Sequence, residues 1–209
     1  TNSWLTSGPA GTDLNRGLAY NPITDHVLVT SRVGYTQIRL LNAADGTEII
    51  NSRTTTQGTS VSTTGISGGT FTLSKIGVAD DGVIYGASLQ IGAGSNNIYK
   101  WANETSDPVL IVADTPAQRT GDGFRVVGSG VNTRIYLSGT GSTTVRIYDS
   151  TGALAAVATS TVASFARHAI GPVAAGSGAN FYAKGASSDT ASPPGAGQNF
   201  MTLYGPTGT

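Results

Sequence analysis

Hydrophobic positions along the chain fall in short runs that are rich in valine, isoleucine, tyrosine and threonine. Clusters of glycine, aspartate, asparagine and proline separate these runs. The alanine-rich stretch 153–163 contains several β-branched residues, which lower its tendency to form a helix. Short β-branched runs between frequent turn residues predict an all-β protein built from many short strands.

The runs recur as four units that share one order of strands and turns, and this repetition is the main signal in the sequence. Each unit has a third-strand anchor, aromatic or aliphatic, and successive anchors are 60, 47 and 56 residues apart. These anchors are Leu41, Trp101, Tyr148 and Tyr204. Such spacing fits propeller blades of ~40–50 residues with loop insertions. We predict a single-domain β-propeller of about four four-stranded blades, at approximately 12–53, 71–114, 120–162 and 165–209.

Two stretches interrupt the repeat and contain few large apolar side chains. One is the Thr/Ser/Gly-rich segment Thr54–Thr70, and the other is Ala186–Gln198, which contains two consecutive prolines. Compositions of this kind are typical of connections between strands. Both stretches are therefore predicted to be surface loops.

The fourth unit ends where a fourth strand is due, and the N-terminus offers a replacement. The segment Ser3, Trp4, Leu5 and Thr6 precedes the first inner strand, where an outer strand of the last blade would lie. Closure by both termini removes open edge strands. Two alternatives stay open: the chain is part of a larger propeller, or the segment is donated to a neighbouring copy and builds a filament.

Three turn regions resemble the repeats of NHL and YVTN propellers, in which an Asp-Gly turn is followed by an anchored strand and a second turn. They are Val78–Tyr85, Leu41–Thr47 and Ile147–Gly152. The opening segment Arg16–Pro22 also resembles uncharacterised secreted bacterial propeller proteins of unknown function. The resemblance implies a fold, and the same fold serves many functions.

Charge and composition indicate which partners and which cellular location to expect. Twelve basic and twelve acidic residues give a formal net charge of zero, so no basic surplus exists for a phosphate backbone and nucleic acid is not expected. The chain has no cysteine and no apolar run long enough to span a membrane. It has no signal peptide and begins at Thr1, which suggests a processed or truncated product. Its wealth of threonine, serine and glycine favours an extracellular or cell-surface location.

A basic residue stands near the start of each predicted inner strand: Arg16, Lys75, Arg125 and Arg167. Inner strands line the central channel of a propeller, so these four cations are expected to form a ring at one mouth. Arginine forks bind carboxylates in a bidentate manner, which would suit an anionic or sugar ligand. The favoured alternative is a set of solvated salt bridges between blades.

Catalytic and metal-binding patterns are weak. The two histidines, His26 and His168, are too few for a metal site without converging carboxylates, and no Gly-x-Ser-x-Gly sequence places a nucleophile on a turn. Asp80-Asp-Gly82 indicates a hairpin turn rather than a calcium loop. Acids at Asp13, Asp25 and Asp122 leave a glycosidase-like pair open. No cofactor or metal is predicted.

The sequence therefore predicts a non-catalytic extracellular β-propeller that acts as a structural or interaction scaffold, and it leaves open self-assembly by strand donation into a surface layer or filament. Its expected partners are further copies of itself, extracellular glycans or surface proteins. The first alternative is a carbohydrate-binding module, and the second is a hydrolase or lyase with its site at the channel mouth. Asn103-Glu-Thr105 is also a possible glycosylation site in a host that modifies such sequences.

Overall fold

A computed structural model of the chain describes residues 14–50, 60–140, 144–159, 169–172, 181–184 and 201–204. Within these residues the secondary structure is fourteen β-strands and one three-residue 3-10 turn at Gly130–Asn132. The all-β prediction is therefore confirmed. The strands are β1 (Asn15–Asn21), β2 (His26–Ser31), β3 (Gln37–Asn42), β4 (Phe71–Val78), β5 (Ile84–Leu89), β6 (Asn96–Trp101), β7 (Val109–Asp114), β8 (Gly123–Val127), β9 (Arg134–Ser138), β10 (Thr144–Asp149), β11 (Leu154–Thr159), β12 (Ala169–Pro172), β13 (Phe181–Lys184) and β14 (Met201–Tyr204).

The described strands form antiparallel sheets in which sequence neighbours pair. The sheets have the orders β1-β2-β3, β4-β5-β6-β7, β8-β9-β10-β11 and β12-β13-β14. The first strands of successive sheets contact each other, β1 with β4, β4 with β8, and β8 with β12. This arrangement is propeller-like, because the inner strands of neighbouring propeller blades are adjacent in the same way. The region where these first strands meet is called the axis here.

Each of the first three sheets has two ends, and the direction of its first strand is used here to name them. The amino end is where β1, β4 and β8 begin. The hairpin end is where these strands turn into β2, β5 and β9. In such a meander the turn between the third and fourth strands also lies at the hairpin end, because antiparallel strands reverse direction at every turn.

The hydrophobic core lies between successive sheets. The first cluster joins the first two sheets and comprises Leu28, Ile38, Leu40, Val61, Leu73, Ile76, Ile84, Tyr99 and Trp101. The next cluster joins the second and third sheets and comprises Ala79, Tyr85, Ala87, Ile98, Val112, Val126, Ile135, Leu137 and Tyr148. Neighbouring residues of one strand, such as Ile84 and Tyr85, enter different clusters because side chains alternate across a strand. The middle strands of the second sheet, β5 and β6, are therefore buried on both faces.

Two glycines allow the first strands to approach closely. A Cβ atom on Gly17 of β1 would lie 2.6 Å from the hydroxyl of Thr30 and 3.0 Å from the backbone nitrogen of Ile76 in β4. A Cβ atom on Gly77 of β4 would lie 2.7 Å from a methyl group of Val126 in β8. Side chains at these positions would push neighbouring sheets apart, so the packing requires glycine there.

One turn recurs after the third strand of each of the first three sheets. In each turn, the Oδ1 atom of the first residue accepts hydrogen bonds from the N–H and the hydroxyl of the threonine two residues later, at 2.6 to 2.9 Å. Such a side chain stabilises a turn locally. The three turns are Asp45-Gly-Thr47, Asn103-Glu-Thr105 and Asp149-Ser-Thr151.

The first unit differs from the sequence prediction at two places within the described residues. The predicted blade at 12–53 was expected to have four strands, but residues 47–50, where the fourth would lie, form only an isolated bridge, Leu41 to Glu48. In the expected surface loop Thr54–Thr70, residues Ser60–Ser62 are buried, and Val61 bridges Ile38 of β3. The reason is that the open edge of β3 offers unpaired backbone groups, which these two segments partly satisfy.

Several predictions concern residues outside the described part. These are the closing segment Ser3, Trp4, Leu5 and Thr6, the basic residue Arg167, the acid Asp13, His168 and the loop Ala186–Gln198. The number of blades likewise stays a prediction.

Candidate functional site

The contacts between β1, β4 and β8 place three of the four predicted basic residues near the axis. Arg16 lies in β1, Lys75 in β4 and Arg125 in β8. Within the described residues, none of these three side chains lies within 4.0 Å of a carboxylate oxygen. The ion pairs of the described part use other residues, and the favoured interpretation of these cations as salt bridges between blades finds no such pair there.

At the amino end, two arginine side chains lie over one aromatic ring. The Cζ atom of Arg32 lies 4.0 Å from the centroid of the Phe71 ring, and that of Arg16 lies 5.6 Å from it. A guanidinium over an aromatic face is attracted to the negative face of the ring. Arg32 and Phe71 were not among the predicted site residues, because no sequence spacing connects the end of β2 to the start of β4.

Lys75 belongs to the same cluster. Gly17 packs against the backbone of Lys75 and Ile76, which brings the neighbouring Arg16 beside this part of β4. Partial burial, followed by the charge of Arg16, lowers the pKa of Lys75 below its ordinary value of 10.5, while Asp122 acts in the opposite direction. The site therefore disfavours the charged form of the amine, first because the amine is partly buried and second because Arg16 is near.

Asp122, immediately before β8, is a buried acid with a full set of donors. Arg119 donates two hydrogen bonds to it, at 2.7 and 2.6 Å, and the N–H and hydroxyl of Thr140 each donate one at 2.9 Å. Burial alone would raise the pKa of Asp122, but the bonds from Arg119 and Thr140 outweigh it and hold the pKa below its ordinary value. The carboxylate of Asp122 therefore stabilises the loop before β8.

A cleft of about 370 Å³ opens between β1, β4 and β8 toward the hairpin end. Its polar lining comes from Tyr20, Asp80 and Arg125, all exposed. The Tyr20 hydroxyl donates a 2.9 Å hydrogen bond to Asp25, which raises the pKa of the phenol above its ordinary value. Leu18, 73% exposed, and half-buried Phe124 supply apolar surface. The lining thus combines an aromatic ring, one acid and one base.

Also at the hairpin end, the buried acid Glu104 joins the second sheet to the first. Its Oε1 atom accepts hydrogen bonds from Asn21 at 2.8 Å and Thr24 at 2.6 Å. Its Oε2 atom lies 2.8 Å from Nδ1 of His26. His26 is therefore part of a contact between sheets rather than of a metal site, and no group of three metal-ligating side chains occurs among the described residues.

A comparable contact joins the second and third sheets. The hydroxyl of Tyr148 donates to Asp114 at 3.0 Å, and Nε of Arg146 lies 3.1 Å from the same carboxylate oxygen. Burial first, and then the charge of Asp114, raise the pKa of Tyr148 above its ordinary value. Asp114, at the end of β7, thus links the second sheet to β10, the third strand of the third sheet.

The predicted pair of acids does not come together in the described part. Asp25 lies in the turn at the hairpin end, whereas Asp122 precedes β8 at the amino end. Asp80-Asp-Gly82 is the hairpin turn between β4 and β5, where the N–H of Gly82 donates to the carbonyl of Ala79 at 2.9 Å. No two-acid site suited to glycoside chemistry follows from these positions.

The possible glycosylation residue Asn103 is exposed and lies in the recurring turn after the third strand. The same pattern of acid or amide followed by threonine occurs at Asp45 and Asp149, where it stabilises a turn. The sequence of the motif therefore has a structural explanation, and its modification stays a prediction.

Comparison with solved structures shows what this fold resembles. A DUF4623 family protein from Bacteroides eggerthii aligns over 94% of this chain and 44% of its own length, with 19% identity and a TM-score of 0.65. The PQQ-bound aldose sugar dehydrogenase from Streptomyces coelicolor aligns over 98% of this chain and 63% of its own, with 16% identity and a TM-score of 0.53. No family model and no curated protein matches the sequence.

These likenesses support a propeller-like all-β fold and do not extend to function at such low identity. The chain spans less than two thirds of either structure. One of the two is an enzyme, and the description of the other gives only its family. Among the described residues, no helix is both long and apolar enough to cross a bilayer.

Proposed function

We propose that the chain is a non-catalytic β-propeller scaffold of an exported protein, with NHL- or YVTN-like blades, that acts by binding other molecules. The supporting observation is that the buried acids of the described part have structural hydrogen-bond partners. Glu104 and Asp122 are the buried acids of the described part, and each is saturated by donors that join structural elements. A catalytic acid or base must lie within hydrogen-bond distance of a substrate proton. A carboxylate whose oxygens already accept bonds from the protein is poorly suited to that role.

The proposal includes ring completion by the N-terminal segment. Within the described residues the last sheet has three strands and ends on β14, one fewer than the second and third sheets. Ser3, Trp4, Leu5 and Thr6 would add the missing strand, either in the same copy or, by donation, in a neighbouring copy that extends a filament or surface layer.

Light scattering and urea unfolding of the intact chain and of a chain lacking residues 1–7 test this proposal. A monomer that loses stability on truncation supports closure within one copy. An assembly that dissociates on truncation supports donation. If truncation changes neither size nor stability, the segment completes no sheet and the proposal of ring completion fails.

A carbohydrate ligand is the second candidate, because the hairpin-end cleft combines Tyr20, Asp80 and Arg125 with apolar surface. A sugar ring presents hydroxyls on its edge and an apolar face, which such a lining can contact together. The cleft lining contains a single acid among the described residues, so it lacks the pair of carboxylates that glycoside hydrolysis uses.

A glycan array probed with the intact chain tests the carbohydrate candidate. Tyr20→Ala and Arg125→Gln are expected to abolish any glycan signal. Arg134→Gln serves as the matched control, since Arg134 only donates to backbone carbonyls of the β8–β9 turn. A signal that persists in both cleft variants, or no signal with any glycan, would count against this candidate.

A further inference from the structure

The geometry points to an oxyanion-binding site at the amino end of the axis, formed by the guanidinium of Arg16 and the ammonium of Lys75. Its ligand would be a small solute that carries a carboxylate or phosphate group. This site is separate from the hairpin-end cleft and does not depend on the proposed scaffold function.

The first argument is the placement of the two cations. Gly17 brings β1 so close to β4 that its Cβ would lie 3.2 Å from the backbone carbon of Lys75. Arg16, the preceding residue, extends over the Phe71 ring of the same strand. Two donors of like charge are thereby fixed on adjacent strands, and like charges held together gain most when an anion separates them.

The second argument is that Phe71 orients the guanidinium groups. Its ring carries Arg32 at 4.0 Å and Arg16 at 5.6 Å. Stacking on an aromatic face restricts the rotation of a long side chain, so less conformational entropy is lost when the guanidinium binds an anion. Arginine with fixed orientation is suited to the planar fork geometry of carboxylate and phosphate.

The third argument is the charge balance. Asp122 is the acid that influences Lys75, and its oxygens already accept hydrogen bonds from Arg119 and Thr140. Within the described residues, neither Arg16 nor Lys75 has a carboxylate oxygen within 4.0 Å. Burial is the main cause of the lowered pKa of Lys75, and the charge of Arg16 adds to it. An anion between the two cations would offset the cost of burying the charged amine and reduce the repulsion between the cations.

Calorimetric titration with citrate and, separately, with inorganic phosphate at constant ionic strength tests the site. We expect at least one of these anions to bind and to raise the melting temperature of the intact chain. Binding of citrate but not phosphate identifies a carboxylate ligand, and the reverse result identifies a phosphate ligand.

Lys75→Met and Arg16→Gln are expected to weaken that binding at least tenfold. Lys100→Met is the matched control, since Lys100 lies on β6 and contacts Tyr85 and the carbonyl of Ser150. The control should bind the anion as the intact chain does. Equal weakening in all three variants would indicate diffuse charge attraction and overturn the proposal, as would the absence of any binding by the intact chain.

Stability without anion gives a second readout. Lys75→Met removes a partly buried charge next to Arg16, so its melting temperature in chloride buffer should equal or exceed that of the intact chain, while the shift caused by the anion disappears. A variant that melts lower than the intact chain yet retains the anion-induced shift would show that Lys75 is structural only.

Discussion

At the scale of single residues, the contribution of a buried acid to stability depends on how many hydrogen bonds its carboxylate accepts. Glu104 receives Asn21 and Thr24 on one oxygen and contacts His26 with the other. Asp122 receives four hydrogen bonds from two residues. A buried carboxylate that lacked such partners would carry a large desolvation cost, so these acids and their donors function as units.

Glu104→Gln should lower the free energy of unfolding by about 1–3 kcal/mol, because one acceptor oxygen becomes an NH₂ group that faces donors. Urea unfolding at neutral pH measures the change. Asp80→Asn, which makes the same charge change at an exposed position, should alter stability by less than about 0.5 kcal/mol. Comparable losses in the two variants would contradict the role of Glu104 as a contact between sheets.

Asp122 predicts a pH dependence of stability. Its pKa lies below the ordinary value of 3.8 in the folded chain, so its contribution is complete above that value and is lost as pH falls through the folded pKa. Asp122→Asn should therefore be less stable than the intact chain at neutral pH, with the gap narrowing below about pH 4. Urea midpoints measured between pH 7 and pH 3 check this. Parallel curves for the two proteins would contradict it.

At the scale of elements, the third strand of the second sheet shows how an anchor residue organises its surroundings. Trp101 is fully buried between the first two sheets, and its Nε1 atom donates a 2.7 Å hydrogen bond to the carbonyl of Ser62. On the same strand, the hydroxyl of Tyr99 donates to the carbonyl of Ser67 at 2.8 Å. These two bonds draw part of the inserted segment against the core.

Trp101→Ala should cost about 3–5 kcal/mol, since it removes the largest side chain of the core cluster. Trp101→Phe should cost less, about 1–3 kcal/mol, because packing is partly kept but the Ser62 carbonyl loses its donor. Urea unfolding gives both values, and limited proteolysis should show faster cleavage near residues 60–70 in the Phe variant. A Phe variant as stable and as resistant as the intact chain would contradict the role of the hydrogen bond.

At the scale of the whole molecule, the distance between first strands is set by glycine. Gly17 faces β4 and Gly77 faces β8, and each leaves no room for a side chain. The sheets consequently pack face to face around the axis, with a separate hydrophobic cluster in each interface. Because these clusters lie between sheets, a change at the axis should affect the stability of two sheets together.

Gly77→Ala should destabilise the chain by roughly 1–3 kcal/mol through overpacking against Val126. In the double variant Gly77→Ala with Val126→Ala, the clash is removed, so the total loss should be smaller than the sum of the two single losses. Urea unfolding of the four proteins gives the coupling free energy. Strict additivity would mean that the two residues do not limit the approach of the sheets.

The all-β class, the positions of most described strands and the turns between them could be predicted from the amino-acid sequence alone. These features are local: β-branched runs favour strands, and Asp, Asn, Thr and Gly favour turns through contacts within a few residues. The anchors Leu41, Trp101 and Tyr148 were found in the same way, because each ends a short apolar run before such a turn.

Which distant residues meet depends on how the sheets pack against one another. No spacing in the sequence connects Phe71 with Arg32, or Glu104 with His26, since these pairs depend on how one sheet packs against the next. The burial of Ser60–Ser62 was likewise missed, because a polar segment becomes buried when the open edge of a strand and a tryptophan N–H supply its hydrogen bonds. Local preferences specify elements, whereas partners across an interface are fixed by packing and by the need to satisfy buried polar groups.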